Sequence, residues 1–271
     1  MMRTVTARHL VLGTLALAWL GMVARSITYL DARGYRYYVI DLVWLQYLFL
    51  AIAVFGGTVL LLGVLLRRSQ PGRWATPPFV SIILPAKDEV RVIEGAVRSA
   101  CAQRYEGPFE VIVVDDRSTD GTGELLDRLQ EELTVKVVRT PTGTIGKASA
   151  LEVGIAHSRG ALIAVFDADA RLGPDVLAKM VPHLADSRVG AVQGRRLVYN
   201  AERNLLTRVQ ADEYRVIQTL LQRARQALGG FTCLAGNGLI VRRDVLKALG
   251  GWNEDALTED IDLTVRLYLA G

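Results

Sequence analysis

From Leu42 to Leu66 the chain runs 25 positions without a charged side chain. At ~1.5 Å rise per residue a helix of that length reaches roughly 37 Å, enough to cross the hydrocarbon core of a bilayer. An earlier apolar run, Leu10 to Ala24, is interrupted by Arg25 and needs Ser26 to Leu30 to complete a second span, with Arg25 snorkelling to the interface. The competing reading of that stretch is a signal peptide, because Ala16-Leu17-Ala18 has the small-x-small form. That site, however, falls inside the apolar run and leaves too short a stretch before it. The expectation is a membrane hairpin over residues 1–73, with spans at about 10–30 and 42–66, followed by a globular domain over 74–271.

Charge gives the orientation. Residues 1–73 hold eight arginines against Asp31 and Asp41, an excess of +6, while the whole chain carries +4, so the remainder carries −2. Arg3 and Arg8 precede the first span and Arg67, Arg68 and Arg73 follow the second, which places both flanks and the globular domain in the cytoplasm by the positive-inside rule. A domain that is slightly acidic on its own is no nucleic-acid binder. Cys101 and Cys233 are far apart and lack CxxC spacing, which excludes a disulfide framework or a zinc knuckle and fits a reducing compartment. Gln70-Pro71-Gly72 through Pro77-Pro78 reads as the linker.

From Phe79 onward, apolar β-rich runs alternate with helix-period stretches. Strands are expected near 79–84, 109–114, 135–139, 161–166, 189–198 and 238–241. Helices are expected near 90–102, 121–133, 148–157, 174–184 and 204–228, with two more from Arg243 and Glu259. Continuous runs such as Val111-Ile112-Val113-Val114 mark strands buried on both faces, so the fold class is α/β with a mostly parallel sheet flanked by helices.

Ligands of such sheets lie beyond the carboxyl ends of the strands, where acids stand in this sequence. The second strand runs into Asp115-Asp116 and the fourth into Asp167-Ala168-Asp169. A carboxylate pair closing a buried strand is costly as mere structure, although Asp also serves as a helix cap. Asp167 and Asp169, two apart, project to one side of extended backbone and can hold one hard cation, Mg2+ or Mn2+, while leaving room for diphosphate oxygens. Other chemistries fail on the text. Gly146-Lys147 resembles a P-loop ending, but Pro141 and Ala148 occupy the positions where Gly and Ser or Thr are required. No nucleophile elbow occurs, His9, His157 and His183 lack metal-ligand spacing, and no G-x-G-x-x-G follows the first strand.

Five motifs stand in one order over residues 79–271: Ser81-Ile82-Ile83-Leu84-Pro85-Ala86-Lys87-Asp88-Glu89, Val114-Asp115-Asp116-Arg117-Ser118-Thr119-Asp120, Gly146-Lys147-Ala148-Ser149-Ala150-Leu151, Asp167-Ala168-Asp169 and Thr258-Glu259-Asp260. Together they resemble the inverting family 2 glycosyltransferases, the group of cellulose, chitin and hyaluronan synthases. Ala164 through Ala170, Val189 through Gln193, Ala227-Leu228-Gly229-Gly230, Gly236-Asn237-Gly238 and Gly250-Gly251-Trp252-Asn253-Glu254 look like the bacterial membrane-bound enzymes that make β-monoglucosyldiacylglycerol from UDP-glucose.

The resemblance implies a nucleotide-sugar-binding GT-A domain, a UDP-sugar donor, a lipid or glycan acceptor and a place in the cell inner membrane. In it Asp88 or Glu89 and Asp115 would hold uracil and ribose, Lys147 would place the nucleotide, and Asp167 with Asp169 would bind the metal-diphosphate. Asp260 would be the general base, and Glu259 would stand beside it on the acceptor side. Thr258-Glu259-Asp260 is also a plausible helix start capped by Thr258, a reading that can hold together with the catalytic one, and Gly236-Asn237-Gly238 either lines the acceptor pocket or is a turn that these residues favour. Family members normally continue with a Q-x-x-R-W segment, so the chain reads as a truncated form. A processive polysaccharide synthase and a tethered nucleotide-sugar binder without turnover are the alternatives. The arginines of the helix near 204–228 are read either as a solvated face or as a contact with anionic headgroups.

Overall fold

The computed structural model describes residues 17, 20–21, 42–65, 71–142, 146–227 and 229–271. The chain divides into two compact units, one of residues 1–67 with 212–230, the other of 68–211 with 231–271.

In the first unit, α1 (Leu42–Leu65) is one continuous helix of 24 residues. Leu48, Phe49, Ile52 and Phe55 are each more than half exposed, so its apolar surface is not confined to a core-facing stripe. Among the described side chains, which in α1 are those at 48–59, 61 and 65, no helical stretch is long and apolar enough to cross a membrane. The expected first span, about 10–30, lies outside the described residues apart from 17, 20 and 21. Against α1 packs a helical segment in which a π-helical turn, Val216–Leu221, leads into a short α-helix, Gln222–Ala227.

The second unit is built on a six-stranded sheet. In chain order its elements are β1 (Val80–Ala86), α2 (Ile93–Cys101), β2 (Phe109–Asp115), α3 (Thr122–Glu132), β3 (Lys136–Arg139), α4 (Gly146–Ala156), β4 (Leu162–Val165), α5 (Val176–Met180), β5 (Ala191–Gln193), the first part, through Ala211, of α6 (Leu205–Arg215), whose remainder belongs to the first unit, β6 (Leu239–Arg242), α7 (Arg243–Ala248) and α8 (Glu259–Leu269). Strand order is β3-β2-β1-β4-β6-β5. The first four in that order are parallel, with β1 central: Ala86 faces Asp115 of β2, and Ile83 faces Val165 of β4. β6 runs antiparallel to both β4 and β5, so the sheet is mixed at one edge.

Neighbouring strand residues enter opposite cores. Ile82, Leu84, Val111 and Val113 pack with α2 and α3 on one face, while Ile83, Ile112, Val114 and Val165 pack with α4, Trp252 and Leu263 on the other. This is why the strands read as continuous apolar runs, and truncating Ile83 to Ala would cost about 2–5 kcal/mol. α4 comes especially close to the sheet, since a Cβ on Gly154 would stand 2.6 Å from Ile83 Cγ2.

Two expected elements are shorter than the sequence suggests. The stretch 189–198 is strand only over Ala191–Gln193; Gly194 N–H donates to Gly238 O at 2.7 Å as one further rung in the same register, and the arginine pair that follows lies outside the strand. The stretch 174–184 is five residues of α5 followed by a 3-10 turn, Val181–Ala185, where Pro182 lacks a backbone donor.

Candidate active site

The site residues collect at the carboxyl edge of the parallel strands. Beyond β4, Phe166 N–H still donates to Ile83 O at 3.2 Å, and then the chain turns, with Ala170 N–H donating to Asp167 O at 3.0 Å. Asp167 and Asp169 therefore lie in a turn rather than in the extended backbone expected from their spacing. Ala168 is buried in the core, Asp167 is half-buried and Asp169 is exposed.

Lys147 enters from the N-terminus of α4. Its Nζ donates to Asp167 Oδ1 at 2.6 Å and lies 3.3 Å from Glu259 Oε1 and 3.5 Å from Gly236 O. Burial alone would push the Lys147 ammonium down. The carboxylates of Asp167 and Glu259 outweigh it and hold the group above the ordinary lysine value. Lys147 is thus a fixed positive charge between the strand-end acid and the first turn of α8.

Gly236 closes the arrangement. It is buried with φ +43°, and a Cβ there would stand 3.3 Å from both Asp260 Oδ2 and Lys147 Nζ and 3.6 Å from Glu259 Oε1. Asp167, Lys147, Gly236, Glu259 and Asp260 are in this way gathered around one point. Asn237 joins them, its Oδ1 accepting from the Asp167 N–H at 3.3 Å. Gly238, at φ +75°, passes the chain into β6. Thr258 precedes α8 in extended backbone without a side-chain cap bond, so it does not cap the helix as its sequence position suggests. The loop before α8 is pinned to α4 instead, by Ser149 Oγ donating to Glu254 Oε2 at 2.8 Å and by Trp252 N–H donating to Glu152 Oε1 at 2.5 Å.

The residues expected on the nucleoside side form a second group. Asp115 is buried at the end of β2, its Oδ1 accepting from Ser118 N–H at 3.0 Å and its Oδ2 lying 3.7 Å from Arg139 Nε. Asp88, at φ +54°, ties the loops after β1 and β2 together, accepting from Thr119 N–H at 2.7 Å. Glu89 N–H donates to Thr122 Oγ1 at 2.9 Å, and acids of both groups act on its side chain. Its carboxyl is pushed up by burial and then by the negative charges of Asp169, Asp120 and Asp167. Among the described residues, the Asp115 carboxylate is held by Ser118 and Arg139, which lie apart from the Asp167–Lys147–Asp260 group.

Among the described residues, no set of three or more His, Cys, Asp or Glu side chains could by itself hold a metal ion. The carboxylate oxygens of Asp167 and Asp169, set two apart in the turn after β4, are hard donors of the kind a divalent cation takes together with diphosphate oxygens. Asp116, noted in the sequence as half of a strand-end pair but given no role there, is buried, accepts from Thr140 Oγ1 at 2.9 Å and lies 3.6 Å from Lys87 Nζ. Gln193 reads in the sequence only as part of the Val189–Gln193 motif, with no role of its own, since its partners in the Ala235–Gly238 loop are 42 to 45 residues away in the chain.

The pattern of Glycosyl transferase family 2 matches residues 81–250, which takes in the ends of β1, β2 and β4 and the Gly236 loop. The chain belongs to glycosyl transferase family 2. This family 2 chain is 38% identical over 253 residues to the beta-monoglucosyldiacylglycerol synthase of Trichormus variabilis, a match covering 88% of this chain and 54% of the relative. It is 43% identical over 195 residues to the enzyme of the same name from Nostoc sp., covering 71% and 42%. It spans about half the length of these curated relatives. Among solved structures it resembles a mannosyltransferase from Pyrobaculum calidifontis in complex with GDP-Man and Mn2+, with a TM-score of 0.64 at 26% identity, over 82% of this chain and 63% of that one. The mixed sheet with its flanking helices is thus the GT-A fold.

Proposed function

We propose that this chain carries the donor site and the proton-accepting residue of an inverting, membrane-bound hexosyltransferase that moves glucose from UDP-glucose to diacylglycerol. One observation carries the reading: the Asp260 carboxylate and the Lys147 ammonium converge on Gly236, each 3.3 Å from where a Cβ would stand, and Lys147 grips the strand-end acid Asp167. A group able to take a proton is therefore set next to a fixed cation suited to a diphosphate.

In this reading Asp115, with Asp88 or Glu89, faces the nucleoside, and the Lys147 ammonium offsets the negative charge of the UDP diphosphate as the glycosidic bond breaks. A divalent cation held by Asp167 and Asp169 would add further charge neutralisation at the leaving group. Asp260 removes the proton of the acceptor hydroxyl as its oxygen attacks the anomeric carbon from the face opposite UDP, giving a β-glycoside from an α-linked donor. Gly236, Asn237, Gly238 and Glu259 border the side from which that hydroxyl approaches. α1 and the span expected before it anchor the chain in the cell inner membrane, with the site on the cytoplasmic side, where a lipid acceptor is at hand.

The test is product analysis. Membranes containing the full chain, given labelled UDP-glucose and diacylglycerol, should yield a chloroform-soluble glycolipid. An insoluble polymer, or no transfer at all, would overturn the assignment.

A further inference from the structure

Gln193 ends β5, and its half-buried side chain is saturated by one loop and its own neighbour. Its Oε1 accepts from Ala235 N–H at 2.8 Å. Its Nε2 donates to Asn237 O at 2.8 Å, to Gly194 O at 3.0 Å and to Gly238 O at 3.1 Å. The backbone adds a parallel tie, Gly194 N–H to Gly238 O at 2.7 Å, and Gly238 N–H reaches Val165 O of β4 at 2.9 Å.

The loop held in this way is the one whose Gly236 lies against Asp260 and Lys147 and whose Asn237 side chain accepts from the Asp167 N–H. Two of its glycines sit at positive φ, 43° at Gly236 and 75° at Gly238. Such backbone has little conformational preference of its own, so an outside clamp has to choose its position. A primary amide can accept from one backbone N–H while its two N–H hydrogens donate to carbonyls, whereas a hydroxyl or neutral imidazole has one donor hydrogen.

We propose that Gln193 is a positioning residue: by clamping Ala235–Gly238 it sets Asn237 against Asp167 and so fixes the strand-end acid for the metal-diphosphate of the donor. This rests on the donor-site reading above and deepens it. Replacing Gln193 with Glu keeps the acceptor but sets a carboxylate against the loop carbonyls, and replacing it with Leu removes both functions at similar volume.

The test is calorimetric titration of the full chain in detergent with UDP in the presence of Mn2+, for the wild type, Gln193→Leu, Gln193→Glu, Asn237→Ala and the Gln193→Leu/Asn237→Ala double variant. Each single variant should weaken UDP binding roughly 5- to 10-fold, the scale of one lost hydrogen bond. The double variant should be no weaker than the weaker single, because both act through one loop. A role confined to fold stability would lower the thermal midpoint and leave affinity unchanged. Multiplying effects in the double variant, or wild-type affinity in both Gln193 variants, would overturn this inference alone. A wild type that binds no UDP would overturn it together with the donor-site reading. Should Gln193→Leu aggregate, Gln193→Glu, which is close to isosteric, carries the same comparison.

Discussion

Lys147 and Asp167, twenty residues apart in sequence, meet at 2.6 Å across the carboxyl edge of the sheet, and the same ammonium lies 3.3 Å from Glu259. With a third of each side chain of the pair exposed, their attraction is partly screened, and its value lies more in placing charge than in stability. Lys147→Met should therefore leave the chain folded while raising KM for UDP-glucose about 10-fold or more, as expected when one partner of a hydrogen-bonded charge pair is lost. Steady-state kinetics with thermal unfolding checks both halves.

At Gly236 the backbone and the available space agree. Alanine there would meet a left-handed conformation that costs about 1 kcal/mol and would place a methyl 3.3 Å from Asp260 Oδ2 and Lys147 Nζ. Gly236→Ala should lower kcat about 10- to 100-fold through sub-ångström displacement of the site, with a thermal midpoint shift of only about a few degrees. A variant with unaltered kcat would show that the crowding around Gly236 has no bearing on transfer.

Glu89 predicts a pH dependence of stability. Burial and the charges of Asp169 and Asp120 hold its folded-state carboxyl above the ordinary value. As pH rises past that ordinary value the unfolded chain loses its proton first, so stability falls until the folded-state value is reached and stays lower above it. Glu89→Gln removes the fall. Denaturant titration should find the variant more stable than the wild type at about pH 7 and equal to it at about pH 4.

α1 leads to a prediction of another kind. A charge-free helix of 24 residues should keep the chain in the membrane pellet after an alkaline carbonate wash that strips peripheral proteins. Release into the supernatant would contradict the anchoring role.

Much of this was legible in the sequence because strands buried on both faces must be apolar throughout. Ile82 and Ile83 serve opposite cores, so the run could not alternate, and acids that ended such runs stood out. The antiparallel direction of β6 was not legible, since Leu239–Arg242 reads the same in either direction and only its partners, Leu162–Val165, set the sense. The turn at Asp167–Ala170 and the failure of Thr258 to cap α8 depend on hydrogen bonds that spacing does not encode. Gln193 and Glu152 act on loops far along the chain, through partners 42 and 100 residues away, and no periodicity marks them.

The central claim is that Asp260 takes the acceptor proton at a donor site it does not itself build. Its most direct test is Asp260→Asn in the full chain, with UDP affinity and labelled glucose transfer to diacylglycerol measured on the same preparation. Transfer should drop about 100-fold or more while UDP binds as it does to the wild type. Full turnover by Asp260→Asn, or loss of UDP binding in parallel with transfer, would contradict the account.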